Sequence, residues 1–565
     1  MKTTSFPKLA WMAGLVAFGL VPARAWAQAP SHKHYEESPE AEKPSATGEL
    51  APRLQNLGTH TFVVTTRSKK AQAFVNQGVN LAYGFNHVEA GRAFREAARL
   101  DPNCAMAYWG QALVLGPNIN LPMAPEDEPK AHELAQRAVA MKAKATPRER
   151  AYIDAVATRY SGKPEDRSAR DRAYADTMRD LSRRYPADLD AATLFAEALM
   201  DLRPWAYWAP DGTPYPGTTE ALAVLERVLA KKPAHPGANH YYIHLVEATK
   251  NPEKAEAAAD RLRTLMPGAG HMVHMPGHVY MRVGRYADAS AVNEEAIVAD
   301  EDYIAQCRAQ GIYPIGYYPH NIHFLWASAT MEGRSETAIA AARKVAARVT
   351  DENMDQLPLL AGFKIVPYYA LSRFGRWDEI LKEPAPPERF VYVKGTWHYA
   401  RGLAFVGKGQ LDEAEKELAE VRRIAGGKAL EFTLFSPNTA ASIYAIAPET
   451  LAAAIAIAKK DFDRAIPHLE LAVRLDDGLV YTEPAEWHYP PRGLLAAALL
   501  KAGRPREAET VYWDDLKRNA ENGWSLFGLS QALAAQGRKD EAAAVEARFR
   551  KAWAKADVTL QASVF

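Results

Sequence analysis

Apolar and small residues recur along the chain at the spacing of short paired helices. The segments 283–300, 332–349 and 408–421 each contain a Gly-Arg or Gly-Gln turn followed by an alanine-rich amphipathic stretch. Small residues such as Ala289 and Ala414 are expected where the two helices of a pair cross closely. Each pair has an apolar stripe that it cannot bury alone, so successive pairs must stack. The pattern contains no convincing run of alternating strand residues, and it predicts an all-α solenoid.

The spacing of individual residues resembles the tetratricopeptide repeat (TPR) superfamily. In the segment 78–102 the residues at the family's spacings are Gly78, Ala90, Phe94, Ala97 and Pro102. The resemblance implies helix-turn-helix units stacked in a right-handed superhelix with loop inserts. It also implies a scaffold that binds a peptide or protein segment in its concave groove, but fold-level likeness does not fix function.

Four segments narrow this resemblance further. The segments at 85–110, 271–289, 317–334 and 395–404 look like those of exported bacterial TPR proteins, and the second of them carries an HxxHMPxH motif. That subfamily has no settled activity, so the resemblance implies the fold and not a substrate.

The N-terminus has the layout of a secretory signal peptide. Lys2 and Lys8 precede an apolar run at 9–21, and Ala25 and Ala27 flank the expected cleavage site. We expect residues 1–27 to be the signal peptide, 28–58 to be a flexible leader poor in large apolar residues, and 59–565 to be the TPR superhelix. No further stretch is expected to cross a membrane. The predicted location is periplasmic or secreted.

Charge and cysteine content exclude other classes of function. A formal net charge of +1 gives no electrostatic reason to expect nucleic acid or an anionic membrane as a partner. Cys104 and Cys307 are the two cysteines, which excludes a disulfide-stapled scaffold and a cysteine-rich metal site. Phosphate loops, dinucleotide fingerprints, nucleophile elbows and HExxH helices are not found in the sequence. Inserts rich in proline and aromatic residues at 116–129, 202–217 and 481–492 are expected to be ordered loops, either packed on the solenoid edge or acting as lids.

Seven of the 16 histidines lie between residues 240 and 323. Aligning three neighbouring repeats on their central alanines places all seven on the helix faces that line the groove of a TPR superhelix. Two pairs are spaced i, i+4, which puts both members on one side of a helix. The seven candidate metal ligands are His240, His244, His271, His274, His278, His320 and His323.

The same register places further polar residues on that face. They are the candidate catalytic groups Glu197, Asp201, Glu247 and Arg282. A metal ion with a nearby carboxylate can activate bound water, so these residues would suit an open metal site. An aromatic insert with Trp205 and Trp208 follows the helix of Glu197 and is placed to cover such a site. Other histidines, including His87, His398, His468 and His488, fall off the groove register.

Three interpretations of the histidines follow from the sequence. Neutral imidazole is a common ligand of Cu, Zn and Fe, and seven candidates exceed one coordination sphere, so two ions, or one ion with orienting or acid–base histidines, are both compatible. Such a site would serve hydrolysis or oxidation of a small molecule, or handling of the metal itself. Alternatively, the groove binds a peptide or an anion through histidines and Arg282, or the histidines only pack. Methionines at 272, 275 and 281 suggest affinity for a soft metal such as copper.

Overall fold

The computed structural model of the protein describes residues 48–209, 211–307, 313–434 and 438–564. Across these ranges the chain forms 28 α-helices and no β-strand, with three isolated β-bridges, so the all-α prediction is confirmed. The predicted signal peptide, 1–27, and the leader up to residue 47 lie outside the described residues.

The helices of the first half are short and follow one another closely. They are α1 (Lys69–Tyr83), α2 (His87–Leu100), α3 (Ala105–Leu115), α4 (Glu128–Met141), α5 (Pro147–Thr158), α6 (Arg167–Arg184), α7 (Leu189–Asp201), α8 (Thr218–Lys231), α9 (Pro236–Val246), α10 (Glu256–Leu265), α11 (Gly270–His274), α12 (Pro276–Val283), α13 (Tyr286–Cys307) and α14 (Tyr318–Met331).

The second half continues in the same way. Its helices are α15 (Ser335–Ala347), α16 (Asp351–Gln356), α17 (Ala361–Lys364), α18 (Val366–Arg373), α19 (Trp377–Ile380), α20 (Val391–Gly407), α21 (Leu411–Ala425), α22 (Ala440–Tyr444), α23 (Ile446–Ala458), α24 (Phe462–Asp477), α25 (Pro491–Lys501), α26 (Pro505–Arg518), α27 (Gly523–Ala535) and α28 (Lys539–Ala552). Short 3-10 turns lie at Pro125–Asp127, Lys142–Lys144, Pro164–Asp166, Pro252–Ala255, Pro358–Leu360 and Lys428–Leu430, and a π-helical turn lies at Tyr313–Tyr317.

Consecutive helices pack as hairpins, for example α1 with α2, α14 with α15, α20 with α21 and α27 with α28. The alanines that set the repeat register are fully buried at these crossings, including Ala90, Ala289, Ala338 and Ala414. An alanine has no atoms beyond Cβ, so two helix backbones can approach closely there. Each hairpin also packs on the next, as α13 does on α14 and α26 on α27, which produces the stacked helical repeat that the sequence predicts.

The C-terminal part of the described chain contacts the central hairpins. Trp524 donates its indole N–H to the carbonyl of Thr330 at 3.0 Å, and the Tyr286 hydroxyl donates to the carbonyl of Ala520 at 2.8 Å. Gly284 adopts a φ of +80°, and a Cβ there would lie 2.4 Å from that same carbonyl oxygen, so the turn requires glycine. The solenoid is therefore folded back on itself rather than open.

The packed region of the described chain begins before residue 59, where the sequence places the start of the superhelix. Ala51, Leu54 and Leu57 are buried, and the backbone N–H of Leu54 donates to the Gln77 side chain at 3.0 Å. Residues 48–58, which the sequence assigns to the flexible leader, therefore contribute apolar side chains to the core. Burial of these side chains stabilises their order, because it removes apolar surface from water.

The segment 440–458 bears on the expectation that, beyond the signal peptide, the sequence contains no stretch that could cross a membrane. Ala440–Ala458 is long and apolar enough to span a membrane by length and composition alone, and 67% of it is buried inside the fold. It comprises α22 and α23, and α23 packs against α20, α21 and α24. A core helix of a large protein meets the same criteria as a span, which is why hydropathy alone does not separate them.

The described residues of the three predicted inserts are ordered, although the bounds of the inserts shift. Glu128 already begins α4 and Pro491 begins α25. In the second insert, Trp208 donates its indole N–H to the carbonyl of Leu245 at 2.8 Å, which fastens the insert to α9. In the third insert, Tyr481 lies under the guanidinium of Arg282 at 5.0 Å. Two inserts therefore reach the helices that carry the histidines.

Candidate metal centre

Six histidines form two groups of three, each with ligand nitrogens within 4.8 Å of one another. The first group, the α9 triad, is His240, His244 and His271, from α9 and α11. The second group, the α12 triad, is His274, His278 and His320, from α11, α12 and α14. The two triads adjoin, since the ring centroids of His244 and His278 are 5.8 Å apart and those of His271 and His274 are 5.9 Å apart.

In the α9 triad, three Nε2 atoms face one another. The Nε2 of His240 lies 3.0 Å from the Nε2 of His244 and 3.1 Å from the Nε2 of His271. The opposite nitrogen of His240, Nδ1, contacts the carbonyl oxygen of Tyr83 at 2.6 Å, and Nδ1 of His244 contacts Oε1 of Glu247 at 2.9 Å. Both partners are acceptors only, so both Nδ1 atoms carry the proton. In the neutral rings of His240 and His244, the facing Nε2 atoms then present lone pairs to each other, while Nδ1 of His271 has no partner that assigns its proton.

The α12 triad repeats this arrangement. The Nε2 atoms of His274 and His278 are 2.9 Å apart. Nδ1 of His274 donates to Oδ1 of Asn293 at 2.7 Å, and the Asn293 amide nitrogen donates to the carbonyl of Ala289, which fixes the orientation of that amide. Nδ1 of His278 contacts Oε2 of Glu247 at 2.5 Å. His320 completes the triad, with its ring centroid 4.9 Å from that of His274.

Facing lone pairs about 3 Å apart repel unless a proton or a metal cation lies between them. Two imidazole nitrogens bound to one ion at about 2.0–2.1 Å lie about 2.8–3.4 Å apart, for ligand angles between 90° and tetrahedral. The observed separations of 2.9 to 3.1 Å fall in that range. Both triads therefore fit a transition-metal ion.

A third histidine group shows what a self-sufficient network looks like. His60, Asp190 and His235 also lie within 4.8 Å of one another. Here Lys232 donates to Nδ1 of His60 at 2.9 Å, and Nε2 of His60 donates to Asp190 at 2.8 Å. The backbone N–H of Ala238 donates to Nδ1 of His235. Donors and acceptors alternate and a lysine ammonium is included, so this group is satisfied without an ion.

Glu247 joins the two triads. It is fully buried at the end of α9, where Oε1 accepts a hydrogen bond from His244 of the α9 triad and Oε2 accepts one from His278 of the α12 triad. Burial raises the pKa of Glu247, but His278 and His244 outweigh this and hold the pKa below its usual value. The carboxylate therefore stays ionised. A carboxylate that accepts from a ligand histidine fixes its tautomer and raises its basicity, which strengthens metal binding.

A second carboxylate approaches the centre from the C-terminal half of the chain. Oε2 of Glu483 lies 3.3 Å from Nδ1 of His278, and Glu247, His278 and Glu483 form a further group of potential ligand atoms. Burial raises the pKa of Glu483 above its usual value. Burial lowers the pKa of His278, but the two carboxylates reverse the direction and raise it to about 10. Without an ion, Nε2 of His278 therefore carries a proton and donates it to Nε2 of His274 at 2.9 Å, and a bound metal ion would take the place of that proton.

The remaining triad histidines are neutral. Burial holds the pKa values of His240, His271, His274 and His320 well below the ordinary value, and it also lowers the pKa of His244. Neutral imidazole is the form that binds a metal. Burial destabilises the charged imidazolium form, so these histidines do not take up a second proton that would compete with a metal ion.

Aromatic side chains enclose both triads. The ring of Phe85 lies 4.6 Å from that of His240, Trp205 lies 5.1 Å from His244, and Tyr317 lies 5.0 Å from His271. Phe324 lies 4.5 Å from His278. Apolar walls exclude water, which strengthens electrostatic interactions in the site.

The predicted open groove is wrong for these residues, because the inner face is covered. His240 and His274 are fully buried, and the exposed fraction of His323 is 8%. His323 also lies outside both triads: its ring stacks on Trp326 at 5.0 Å with an interplanar angle of 6°. Sequence register places His323 beside the others on a helix face, but an aromatic stack takes its ring away from them.

Two of the candidate catalytic carboxylates are also placed elsewhere. Asp201 forms an ion pair with Arg159 at 2.8 Å. Burial, and next the repulsion from the Glu197 carboxylate, raises the pKa of Asp201. Burial raises the pKa of Glu197 to about 7. Among the described residues, neither belongs to a group of metal-ligand atoms. They face Arg159 because that guanidinium offsets part of the cost of burying them.

The contacts of Arg282 and of two of the three methionines indicate a structural role. Arg282 donates to the backbone carbonyls of Glu247 at 2.7 Å and Thr249 at 3.2 Å, which holds the end of α9 in place. Met272 and Met275 are fully buried in the apolar core. Outside the centre, His398 donates to Glu417 at 2.6 Å, as expected of a histidine that bonds within the solenoid.

Sequence reasoning missed the partners that fix the histidines. Glu483 lies in the insert at 481–492, whose unusual Pro and aromatic content is the one signal that marked it. Asn293 and the backbone carbonyl of Tyr83 carry no signal of their own, since their role depends on contacts made far along the chain.

No protein-family model matches the chain, and no curated protein matches it. Among solved structures, it is similar to a human IFIT1 dimer with m7Gppp-AAAA, at a TM-score of 0.30 and 11% identity, over 86% of this chain and 91% of that chain. It is also similar to the APC/C hetero-tetramer Cut9-Hcn1, at a TM-score of 0.28 and 13% identity, over 85% of this chain and 76% of that one. At these TM-scores neither similarity informs the function of this chain.

Proposed function

We propose that the protein is a metalloprotein that holds two transition-metal ions in adjacent three-histidine sites. The observation that supports this is the set of facing Nε2 atoms, 2.9 to 3.1 Å apart, together with acceptors for Nδ1 of four of the rings, those of His240, His244, His274 and His278. A structural core of histidines would alternate donors and acceptors, as the group around Asp190 does.

The donor set favours copper. Imidazole suits Zn, Cu and Fe, and among divalent ions the affinity of a given site is highest for Cu²⁺. Among the described residues, neither Cys104 nor Cys307 belongs to a group of potential ligand atoms, so cysteine does not contribute. Three protein ligands leave an ion one open position for a small molecule, which is the arrangement of catalytic rather than structural sites.

Access to the centre restricts what reacts there. Of the six triad histidines, His320 alone is more than marginally exposed. A reacting molecule must therefore be small or enter beside α14. With copper bound, the open positions would support oxidation of such a molecule, and with zinc bound they would support activation of water. Since the N-terminal residues have the layout of a signal peptide, we place this chemistry outside the cytoplasm.

The test is metal content in protein prepared without a histidine tag. We expect about two ions per chain, one for each triad, and copper bound more tightly than zinc in competition. Replacing His274 and His278 by alanine should remove the ion of the α12 triad while circular dichroism stays helical, because stacking depends on the apolar repeat positions. His398→Ala is the matched control, since His398 also bonds a carboxylate but lies outside the centre.

Three results would overturn the proposal. The first is a chain that neither carries metal nor binds added Cu²⁺ or Zn²⁺ in calorimetry. The second is a His274/His278 variant with unchanged stoichiometry. The third is an equal loss of metal in the His398 control, which would show that the loss is not specific to the triads.

A further inference from the structure

The C-terminal half contains a cavity that shares no lining residue with the metal centre. It encloses about 570 Å³ between α18, α20, α23 and α25. This volume is within the range of about 300–1,000 Å³ found for small-molecule sites. Its walls are mostly apolar, with Leu403, Val406, Ile457 and Leu494 among them.

The charge of the cavity has one sign. Arg373 lines its inner part, and Lys460 and Lys501, both exposed, lie at its outer part. Among the described residues that line it, none is acidic. Apolar walls with cationic groups of one sign attract a molecule that is both apolar and negatively charged.

Polar atoms in this cavity have no partners in the protein. Arg373 is 3% exposed, and its Nε and Nη1 make no hydrogen bond. Its guanidinium carbon lies 3.7 Å from the ring centroid of Tyr489 and 3.6 Å from that of Trp524. The hydroxyl of Ser372, which is 7% exposed, and both ring nitrogens of His488 are likewise without partners.

Such groups are costly when left alone. A buried donor without an acceptor loses its hydration and gains nothing in return, and the loss is larger for a charged group. The cost at Arg373 is not offset by a described ion pair, and burial lowers its pKa below the ordinary value. Tyr489 and Trp524 interact favourably with the guanidinium, but Nε and Nη1 still have no acceptor and are available to a ligand.

We propose that this cavity binds a small amphipathic carboxylate, an alkyl chain with one anionic end. The carboxylate accepts hydrogen bonds from Arg373 and Ser372, and the chain lies along the apolar walls of α20 and α23. Arginine suits this role because its planar donors match the two oxygens of a carboxylate. The site is separate from the metal centre and does not require that metal be bound.

The probe is decanoate, titrated into the full chain by isothermal calorimetry. Decanol, which has the same chain without charge, and decyltrimethylammonium, which has the opposite charge, are the comparison ligands. We expect decanoate to bind at least tenfold more tightly than decanol, because hydrogen bonds to a charged partner strengthen binding. The cation should not bind.

Variants assign the site. Arg373→Met keeps the apolar volume and should abolish the preference for decanoate over decanol. Ala454→Phe should fill the cavity and prevent binding of both. Lys501→Glu lies at an exposed position and should weaken decanoate by about threefold to tenfold, because charge reversal replaces attraction with repulsion. Lys539→Glu, at an exposed position outside the lining, is the control and should change nothing.

Each outcome decides the proposal. If Arg373→Met does not fold, as shown by its thermal melt, Ala454→Phe and Lys501→Glu still test the site. The proposal is overturned if decanoate does not bind, if decanol binds equally well, or if Lys501→Glu and Lys539→Glu have the same effect. Metal content measured in the same samples separates this result from a failure of the metal centre.

Discussion

Replacing Glu247 by glutamine tests whether one carboxylate sets the ligand geometry of both triads. The carboxylate accepts a hydrogen bond from Nδ1 of His244 and another from Nδ1 of His278, at 2.9 and 2.5 Å. Glutamine keeps the shape but has one acceptor oxygen and one donor nitrogen. A histidine that faces the amide nitrogen must move its proton to Nε2, where it blocks the metal.

The size of the effect follows from the bonds that are lost. A hydrogen bond to a charged group contributes about 1.5–3 kcal/mol, and 1.36 kcal/mol is a tenfold change in affinity, so one site should weaken by about 10- to 100-fold. Loss of the negative charge acts in the same direction at both ions. This range agrees with the 10- to 100-fold effect that is common for partners of ligand histidines.

The assay is competition between the protein and a chelator of known affinity, with two sites fitted separately. The matched control is Glu417→Gln, since Glu417 also accepts from a histidine, His398, and from Arg401, but lies far along the chain from both triads. Two unchanged affinities in a folded Glu247→Gln protein would refute the argument that this carboxylate fixes the tautomers. Equal losses in both variants would show a general effect on the fold instead.

Three further predictions follow. Gly277→Ala should lower the metal affinity of the α12 triad and leave that of the α9 triad unchanged in the same competition assay. The reason is that a Cβ at position 277 would lie 2.9 Å from the amide nitrogen of Asn293, whose amide oxygen accepts from His274. Gly493→Ala is the control, and a loss of affinity at both triads would contradict the reasoning. His323→Phe should keep both ions in metal analysis, since burial already holds the pKa of this ring at about 3 and it lies outside both triads; loss of an ion would restore it as a ligand. In the metal-free protein, burial depresses the pKa of several histidines. Below the unfolded-state histidine pKa of about 6.5, the unfolded chain therefore binds more protons than the folded chain does. As the pH is lowered from there, the free energy of unfolding should decrease by about 1.4 kcal/mol per pH unit for each such histidine, until the pH reaches the pKa of that histidine in the folded state. Urea unfolding between pH 7 and pH 4 measures this, and a stability that stays level would mean that the rings titrate normally.

The local pattern was sufficient for the helices and for part of the centre. Helical periodicity and the buried alanines, such as Ala289 and Ala338, predicted the stacked hairpins. The i, i+4 spacing of His240 with His244 and of His274 with His278 predicted two ligand pairs, and both pairs have facing nitrogens. These contacts depend on residues one helical turn apart, so the sequence alone contains them.

Other placements needed contacts between distant segments. The repeat register put His323 and Glu197 on the groove face. In the structure the ring of His323 stacks on Trp326, and the carboxylate of Glu197 interacts with the charge of Arg159. Side-chain direction at a given register position is decided by what packs next to it, and repeat arithmetic does not carry that information.

The sequence by itself determined the all-α repeat fold and a set of histidines on neighbouring helices, because helix geometry is fixed by backbone hydrogen bonds four residues apart. Only the tertiary structure decided that the site is buried, that Glu247 and the Tyr83 carbonyl direct protons to Nδ1, and that Glu483 reaches His278 from about 200 residues away. Burial and proton position depend on which groups surround a ring in space, and the chain assembles those groups from segments with no common local pattern.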